Sequence, residues 1–212
     1  MEGTCIIIGG GDFYGLHREV KNEDYVIAAD AGYRHCEQYG IHPDLVVGDF
    51  DSLGYVPELP DIIQMPVEKD DTDTLHAVRV GMEKGYRRFA IYGGTGGTRS
   101  DHTIANIQCL LFMHRYDSRG AIYGKGIVYR GIKDETISFS SKATGDLSVF
   151  CLDGIARGVT IKGLKYELSD AEITSDFPIG CSNSFTGADA SITVTDGSLI
   201  LIYSIDTESE VL

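Results

Sequence analysis

The sequence predicts an α/β protein with an N-terminal, mostly parallel sheet and flanking helices, followed by a C-terminal all-β antiparallel sandwich. Three observations carry this. From Cys5 to about Tyr123, short apolar runs alternate with stretches of helical period, the pattern of a parallel sheet covered by helices. Each apolar run leads into a loop loaded with glycine or aspartate, while the returning connections, such as Tyr39-Gly40-Ile41-His42-Pro43, are ordinary. Beyond Tyr123 the helical period vanishes, and β-rich runs recur between turn signals such as Lys133-Asp134 and Thr195-Asp196-Gly197. The 212 residues are enough for two modest domains, and Gly124-Lys125-Gly126 marks the expected boundary between residues 1–124 and 125–212.

In order, residues 5–8 form the first expected strand, followed by Gly9-Gly10-Gly11-Asp12. Residues 25–29 are the second, followed by Asp30-Ala31-Gly32 and a helix that should stop at Gly40. The β-branched run 45–47 is the third, leading into Gly48-Asp49-Phe50-Asp51-Ser52, with Phe50 packed beneath its loop. A weaker run, 61–65, precedes Lys69-Asp70-Asp71-Thr72-Asp73, where a helix should start on Asp71 or Thr72, Asp71 being the preferred cap, and run to Gly85. Residues 89–92 are the fifth strand. A glycine-rich loop follows, then a helix carrying Ile104, Ile107, Leu110 and Leu111 at core spacing. In the second half, strands are expected at 127–129, 136–139, 147–151, 159–161, 191–194 and 199–204.

In a parallel sheet all strand-exit loops lie along one edge, where open α/β folds bind ligands. Five loaded loops should therefore converge on one crevice. Asp49 and Asp51, two residues apart, offer paired hard oxygens of the kind Mg²⁺ prefers, and Asp73 is a further candidate ligand; a solvated acidic turn is the plainer alternative for the D-x-D alone. Gly93 to Gly97 stand between a strand and a helix with Arg99 and Asp101 beside them, which suits backbone N–H approach to phosphates. Gly9-Gly10-Gly11 has neither dinucleotide-fingerprint nor P-loop spacing and serves close backbone approach. His102 reads as a structural hydrogen-bonder.

Composition narrows the partners. With 18 basic and 32 acidic residues the net charge is -14, which disfavours nucleic acid or an anionic membrane as partner. Five scattered cysteines without a C-x-x-C pair argue against disulfides or zinc and for reduced thiols in a cytoplasm, with Cys36 and Cys109 as small core residues. The apolar run that leads to Gly9 is only four residues long, too short for a signal-peptide core, and no apolar run approaches the roughly 18 residues of a membrane span.

GDFDS at residues 48–52, KDDTD at 69–73 and GGTGGTRSDHTIAN at 93–106, with GLKYEL at 163–168 and SNSFTG at 182–187, together resemble the thiamine pyrophosphokinase (thiamine diphosphokinase) family. The resemblance implies Mg²⁺-dependent transfer of pyrophosphate from ATP to the hydroxyethyl group of thiamine, giving thiamine diphosphate and AMP. It further implies a nucleotide-binding α/β domain, a thiamine-binding sandwich, and a cytoplasmic homodimer with sites shared between subunits. By position, Asp49, Asp51 and Asp73 would hold Mg²⁺, and Asp101 would complete the acidic cluster. Arg99 would meet the phosphates. Gly10, Asp30, Lys69, Gly94, Gly96, Gly97 and Asn106 would bind ATP. Tyr166 would stack on the thiamine pyrimidine, with Ser182 and Asn183 hydrogen-bonding its edge. The chain departs from the family pattern at Ala31, at an extra Thr98 and at Ser184. Two other readings are a D-x-D phosphatase, whose motif normally follows the first strand, and a non-catalytic nucleotide-binding module, which would not need so many carboxylates.

Overall fold

The apolar runs of the first half pair side by side, every neighbouring pair parallel, and all but the half-exposed run at 62–64 are largely buried on both faces. In the computed structural model, which describes residues 2–57, 61–66 and 70–206, the chain folds as two units that divide between Lys125 and Gly126. The first holds β1 (Cys5–Ile8), β2 (Tyr25–Ala29), α1 (Gly32–Tyr39), β3 (Leu45–Gly48), β4 (Ile62–Gln64), α2 (Asp73–Glu83), β5 (Arg88–Tyr92), α3 (Ser100–His114) and β6 (Arg119–Tyr123). Its strand order is β6-β5-β1-β2-β3-β4. The chain thus winds outward from β1 to β4, returns to β5 on the other flank of β1, and places a topological switch point between β1 and β5.

The helix ends follow local chemistry. α1 stops at Gly40, which takes φ 65° and donates its N–H to the Cys36 carbonyl. α2 is capped by Thr72, in an extended conformation, whose side chain accepts from the Leu75 N–H at 3.2 Å. Asp71 is therefore not the cap; its carboxylate is taken by Arg79 at 2.5 Å, a charge-assisted bond two turns along the helix.

The rotation of α3 also differs from expectation. Asn106, Cys109, Leu110 and Met113 face the core, whereas Ile104 is 62% exposed and Ile107 and Leu111 are half-buried. The cause is polar: the buried Asn106 amide donates to the Gly94 carbonyl at 2.8 Å, which turns that side of the helix inward. Cys36 and Cys109 are core residues, their thiols pushed up to about 12 by burial, and all five cysteines are free.

The second unit is built from two antiparallel sheets. One has the order β12-β9-β14-β7, from β7 (Ile127–Lys133), β9 (Asp146–Phe150), β12 (Asn183–Ser184) and β14 (Ser198–Ser204). The other has the order β11-β10-β13-β8, from β8 (Thr136–Phe139), β10 (Ile155–Lys162), β11 (Leu168–Thr174) and β13 (Ala190–Thr193). Alternating residues fill the space between them, with Phe139 edge-on to Tyr203 at 5.3 Å. β11 and β12 had no clear sequence signature. β11 reads LSDAEIT, lies at a sheet edge, and pairs with β10 through two register shifts. β12 is only two residues long. Among the described residues no helix is long and apolar enough to cross a membrane.

Candidate active site

The loops leaving β1 and β5 continue the pairing of their strands. Gly9 N–H donates to the Tyr92 carbonyl at 2.8 Å, Gly11 N–H to the Gly93 carbonyl at 2.8 Å, and Asp12 N–H to the Thr95 carbonyl at 2.9 Å. A Cβ at Gly9 or Gly11 would lie 2.9 or 2.7 Å from the Gly93 oxygen. Gly9 and Gly11 thus let two backbones zip together at the switch point, while Gly10 makes room for Ala31, whose Cβ a Cβ at Gly10 would meet at 2.8 Å.

This zipper floors a cavity of about 410 Å³. Gly10, Asp30, Asp73, Gly94, Gly96, Gly97, Arg99 and Asn106 all line it, so eight positions marked in the sequence meet in one place. Thr72, Thr74, Thr95, Thr98 and His102 line it too. The first turns of α2 and α3 therefore both border the cavity, presenting the positive ends of two helix dipoles to whatever anion enters. Asn106 contributes by bonding the Gly94 carbonyl rather than by offering a free amide nitrogen.

Beside the cavity, three carboxylates converge. Oxygens of Asp30, Asp49 and Asp51 all lie within 4.8 Å of one another. Asp30 sits just past β2 with φ 45°, and a Cβ on Gly48 would come 2.9 Å from its Cα, so the β2 and β3 exits pack tightly. Phe50 is buried beneath its loop with φ 63°, which leaves Asp49 and Asp51 on the outside. Asp51 N–H donates to Asp49 Oδ1 at 3.2 Å, and Ser52 Oγ donates to Asp51 Oδ1 at 3.1 Å. Arg34 of α1 holds the loop from below through the Ser52 and Leu53 carbonyls, both at 2.8 Å. Burial pushes the Asp30 carboxyl above its ordinary value; the Ser52 hydroxyl and Ala31 N–H oppose this, and the Asp73 and Asp49 charges add to it. Asp30 Oδ1 is buried without a hydrogen-bond partner among the described residues.

This set fits Mg²⁺. It is all hard oxygen, it concentrates negative charge that a dication would relieve, and it leaves one buried oxygen unserved. Asp30, read from the sequence as a nucleotide residue, joins Asp49 and Asp51 here, while Asp73 lies outside the trio and acts on Asp30 through its charge.

Asp101 does not complete the cluster. The Arg99 guanidinium, two residues earlier, binds it through two nitrogens, with Nη2 to Oδ2 at 2.8 Å and Nε to Oδ1 at 3.0 Å. That pairing holds the Asp101 carboxyl down at about 2. Lys69 lies outside the described residues.

In the second unit the two remaining motifs are joined to each other. Leu164 bridges Phe185, and Lys165 N–H donates to the Ser184 carbonyl at 2.9 Å. Tyr166 is 58% exposed, with Lys165 Nζ 5.2 Å above its ring, so it is not a packing tyrosine. Ser182 is exposed at φ 60°, its N–H donating to Ser148 Oγ at 3.0 Å. Asn183 is buried, and its amide is occupied by the backbone of Tyr166 and Ser184, which leaves little of it for a ligand edge.

Comparison with known proteins agrees with this arrangement. The thiamin pyrophosphokinase catalytic-domain family profile matches residues 16–120, and the thiamin pyrophosphokinase vitamin B1 binding-domain profile matches residues 134–199. A thiamine pyrophosphokinase of Bacillus subtilis is 28% identical over 195 residues, covering 85% of this chain and 87% of that protein. The crystal structure of thiamine pyrophosphokinase from Bacillus subtilis superposes with a TM-score of 0.83 at 26% identity, covering 96% of this chain and 99% of the other. The thiamin pyrophosphokinase of Candida albicans, at 15% identity, shares the fold with a TM-score of 0.75 over 95% of this chain and 90% of its own. Two family profiles in sequence, both units of the fold and the motif-bearing cavity agree: this chain belongs to the thiamin pyrophosphokinase family of enzymes.

Proposed function

We propose that the protein transfers the pyrophosphoryl group of ATP to the hydroxyethyl oxygen of thiamine, releasing AMP, with Mg²⁺ as cofactor. The observation that carries this reading is the cavity at the switch point, where glycine-loop N–H groups, two helix N-termini and Arg99 adjoin three converging carboxylates. The thiamine oxygen bonds to the β-phosphorus, the bond from that phosphorus to the oxygen it shares with the α-phosphorus breaks, and the hydroxyl proton leaves. Such a transfer passes through a loose transition state, so positioning and charge neutralisation count for more than a strong base. Backbone N–H groups of residues 93–97 and the first turns of α2 and α3 bind the phosphates, and Arg99 turns from Asp101 to meet them. Asp30, Asp49 and Asp51 would hold the cation, which supplies charge neutralisation on the phosphate oxygens. A carboxylate that holds the cation makes a poor base, so Asp73, at the cavity wall and outside the trio, is the carboxylate we assign to take the proton. An acidic crevice also suits a substrate with a cationic thiazolium ring. A cytoplasmic homodimer belongs to the same reading.

ATP labelled at the γ-phosphate should deliver its label to thiamine diphosphate with AMP as coproduct. Thiamine monophosphate and ADP would mean attack at the γ-phosphorus. Thiamine-independent inorganic phosphate would mean a phosphatase, and either result sinks the proposal.

Tyr166 is the proposed platform for the thiamine pyrimidine. Stacking of a flat heterocycle on an aromatic side chain is worth about 1–3 kcal/mol by alanine substitution. Tyr166→Ala should therefore weaken thiamine binding roughly 5- to 150-fold with ATP affinity unchanged, as read by calorimetric titration. Because the ring is exposed, the melting temperature should hardly move.

A further inference from the structure

Asn183 is a buried side chain whose polar atoms serve one neighbour almost exclusively. Its Nδ2 donates to the Tyr166 carbonyl at 2.6 Å, and its Oδ1 accepts from the Tyr166 N–H at 2.9 Å and from the Ser184 N–H at 2.9 Å. One donor and one acceptor on a single side chain thus grip both backbone polar groups of a single residue, as a neighbouring strand would. Three of the four bonds an amide side chain can make are used. The flanking bonds pin the rest of the segment: Thr186 Oγ1 donates to the Gly163 carbonyl at 2.8 Å, and Gly163 N–H donates to Glu167 Oε1 at 2.7 Å. Tyr166 itself contrasts with all this. Its backbone is clamped, while its ring stands out into solvent.

An exposed aromatic ring tied to a buried amide is the arrangement expected when the direction of that ring matters. From it we propose that Asn183 is a positioning residue: it does not touch thiamine but fixes the backbone of Tyr166, and through it the plane of the ring on which the pyrimidine stacks. Holding the ring in place before binding removes an ordering cost from the bound state. The inference rests on the reading of Tyr166 as the thiamine platform.

A double-mutant cycle read by thiamine affinity separates the roles. Asn183→Ala alone should weaken thiamine binding about 10-fold, within the range of a single stacking contact, and leave ATP binding unchanged. In the Tyr166→Ala background the same change should cost less than about 2-fold, because the platform it serves is gone. The full loss persisting in that background would show Asn183 touching thiamine directly and overturn the proposal. No loss in either background would overturn it as well. If Tyr166→Ala alone leaves thiamine affinity intact, the platform reading itself fails and the proposal falls with it, an outcome distinct from the other two. The chain has no tryptophan, so Tyr166→Trp supplies a single indole reporter independent of turnover. Adding Asn183→Ala to it should lower the steady-state anisotropy of that indole, and unchanged anisotropy would argue against the clamp. Should Asn183→Ala not fold, Asn183→Asp, which keeps the acceptor and loses only the donor to the Tyr166 carbonyl, takes its place in both experiments.

Discussion

Asp51→Asn should lower turnover by roughly 100-fold or more while leaving the metal-free protein as stable as before, or slightly more so. Removing one electrostatic stabiliser of a transition state typically costs 10²–10³ in rate. The stability effect has the opposite sign to that of an ordinary site mutation. Asp30, Asp49 and Asp51 place oxygens within 4.8 Å of one another, so without a cation they repel. At an effective dielectric near 20 two unit charges 4.8 Å apart repel by about 3.5 kcal/mol, and solvent and salt screening cut this well down for a carboxylate as exposed as Asp51. Asparagine relieves part of that repulsion and still accepts from Ser52 Oγ through its carbonyl oxygen. Mg²⁺ added to the wild type should raise its melting temperature by mass action, and the variant should need far more of the ion for the same rise. Thermal melts in chelator and across a Mg²⁺ titration, set beside turnover, check both halves. Near wild-type turnover at saturating Mg²⁺ would remove Asp51 from the proposed site.

How far the sequence carried is best seen in particular elements. Most strands of the first unit were legible because apolar runs buried on both faces have few other places to go. Gly40 was legible because only a left-handed residue ends α1 there. The rotation of α3 was not: apolar residues occur on more than one side of it, and a single polar residue, Asn106, decides which side turns inward by bonding Gly94. Thr72 and Asp71 are both good caps by residue type, and only the position of Arg79 two turns on separates them. The place of Asp30 beside Asp49 and Asp51 depends on close packing of two strand exits that are remote in sequence. For Asn183 the residue type announced a hydrogen-bonding role but not its partner, since the backbone of Tyr166 lies 17 residues away in sequence. Local chemistry was readable, and what was not readable came from contacts between distant segments.

Gly93→Ala should be the most damaging small substitution at the switch point, costing about 3–5 kcal/mol of folding stability, at the upper end for single changes. Two effects add. Gly93 has φ 61°, in the left-handed region, where an L side chain costs roughly 1–2 kcal/mol. A Cβ there would also sit 2.2 Å from the Gly9 oxygen and 3.0 Å from its carbonyl carbon. These are backbone atoms, so no side chain can swing away to make room. The two exit loops would have to part, straining the bonds from Gly9 to Tyr92 and from Gly11 to Gly93. Gly97→Ala is the matching control: its φ of 70° is equally left-handed, but its Cβ would meet nothing within 4 Å. That variant should cost only the backbone penalty, about 1 kcal/mol. Urea unfolding of the two variants side by side isolates the loop-to-loop contact. The loss at Gly93 should come with weaker ATP binding in the folded fraction, because the same zipper floors the cavity. If Gly93→Ala were no more destabilising than Gly97→Ala, the close approach of the two loops would not be what holds the site together.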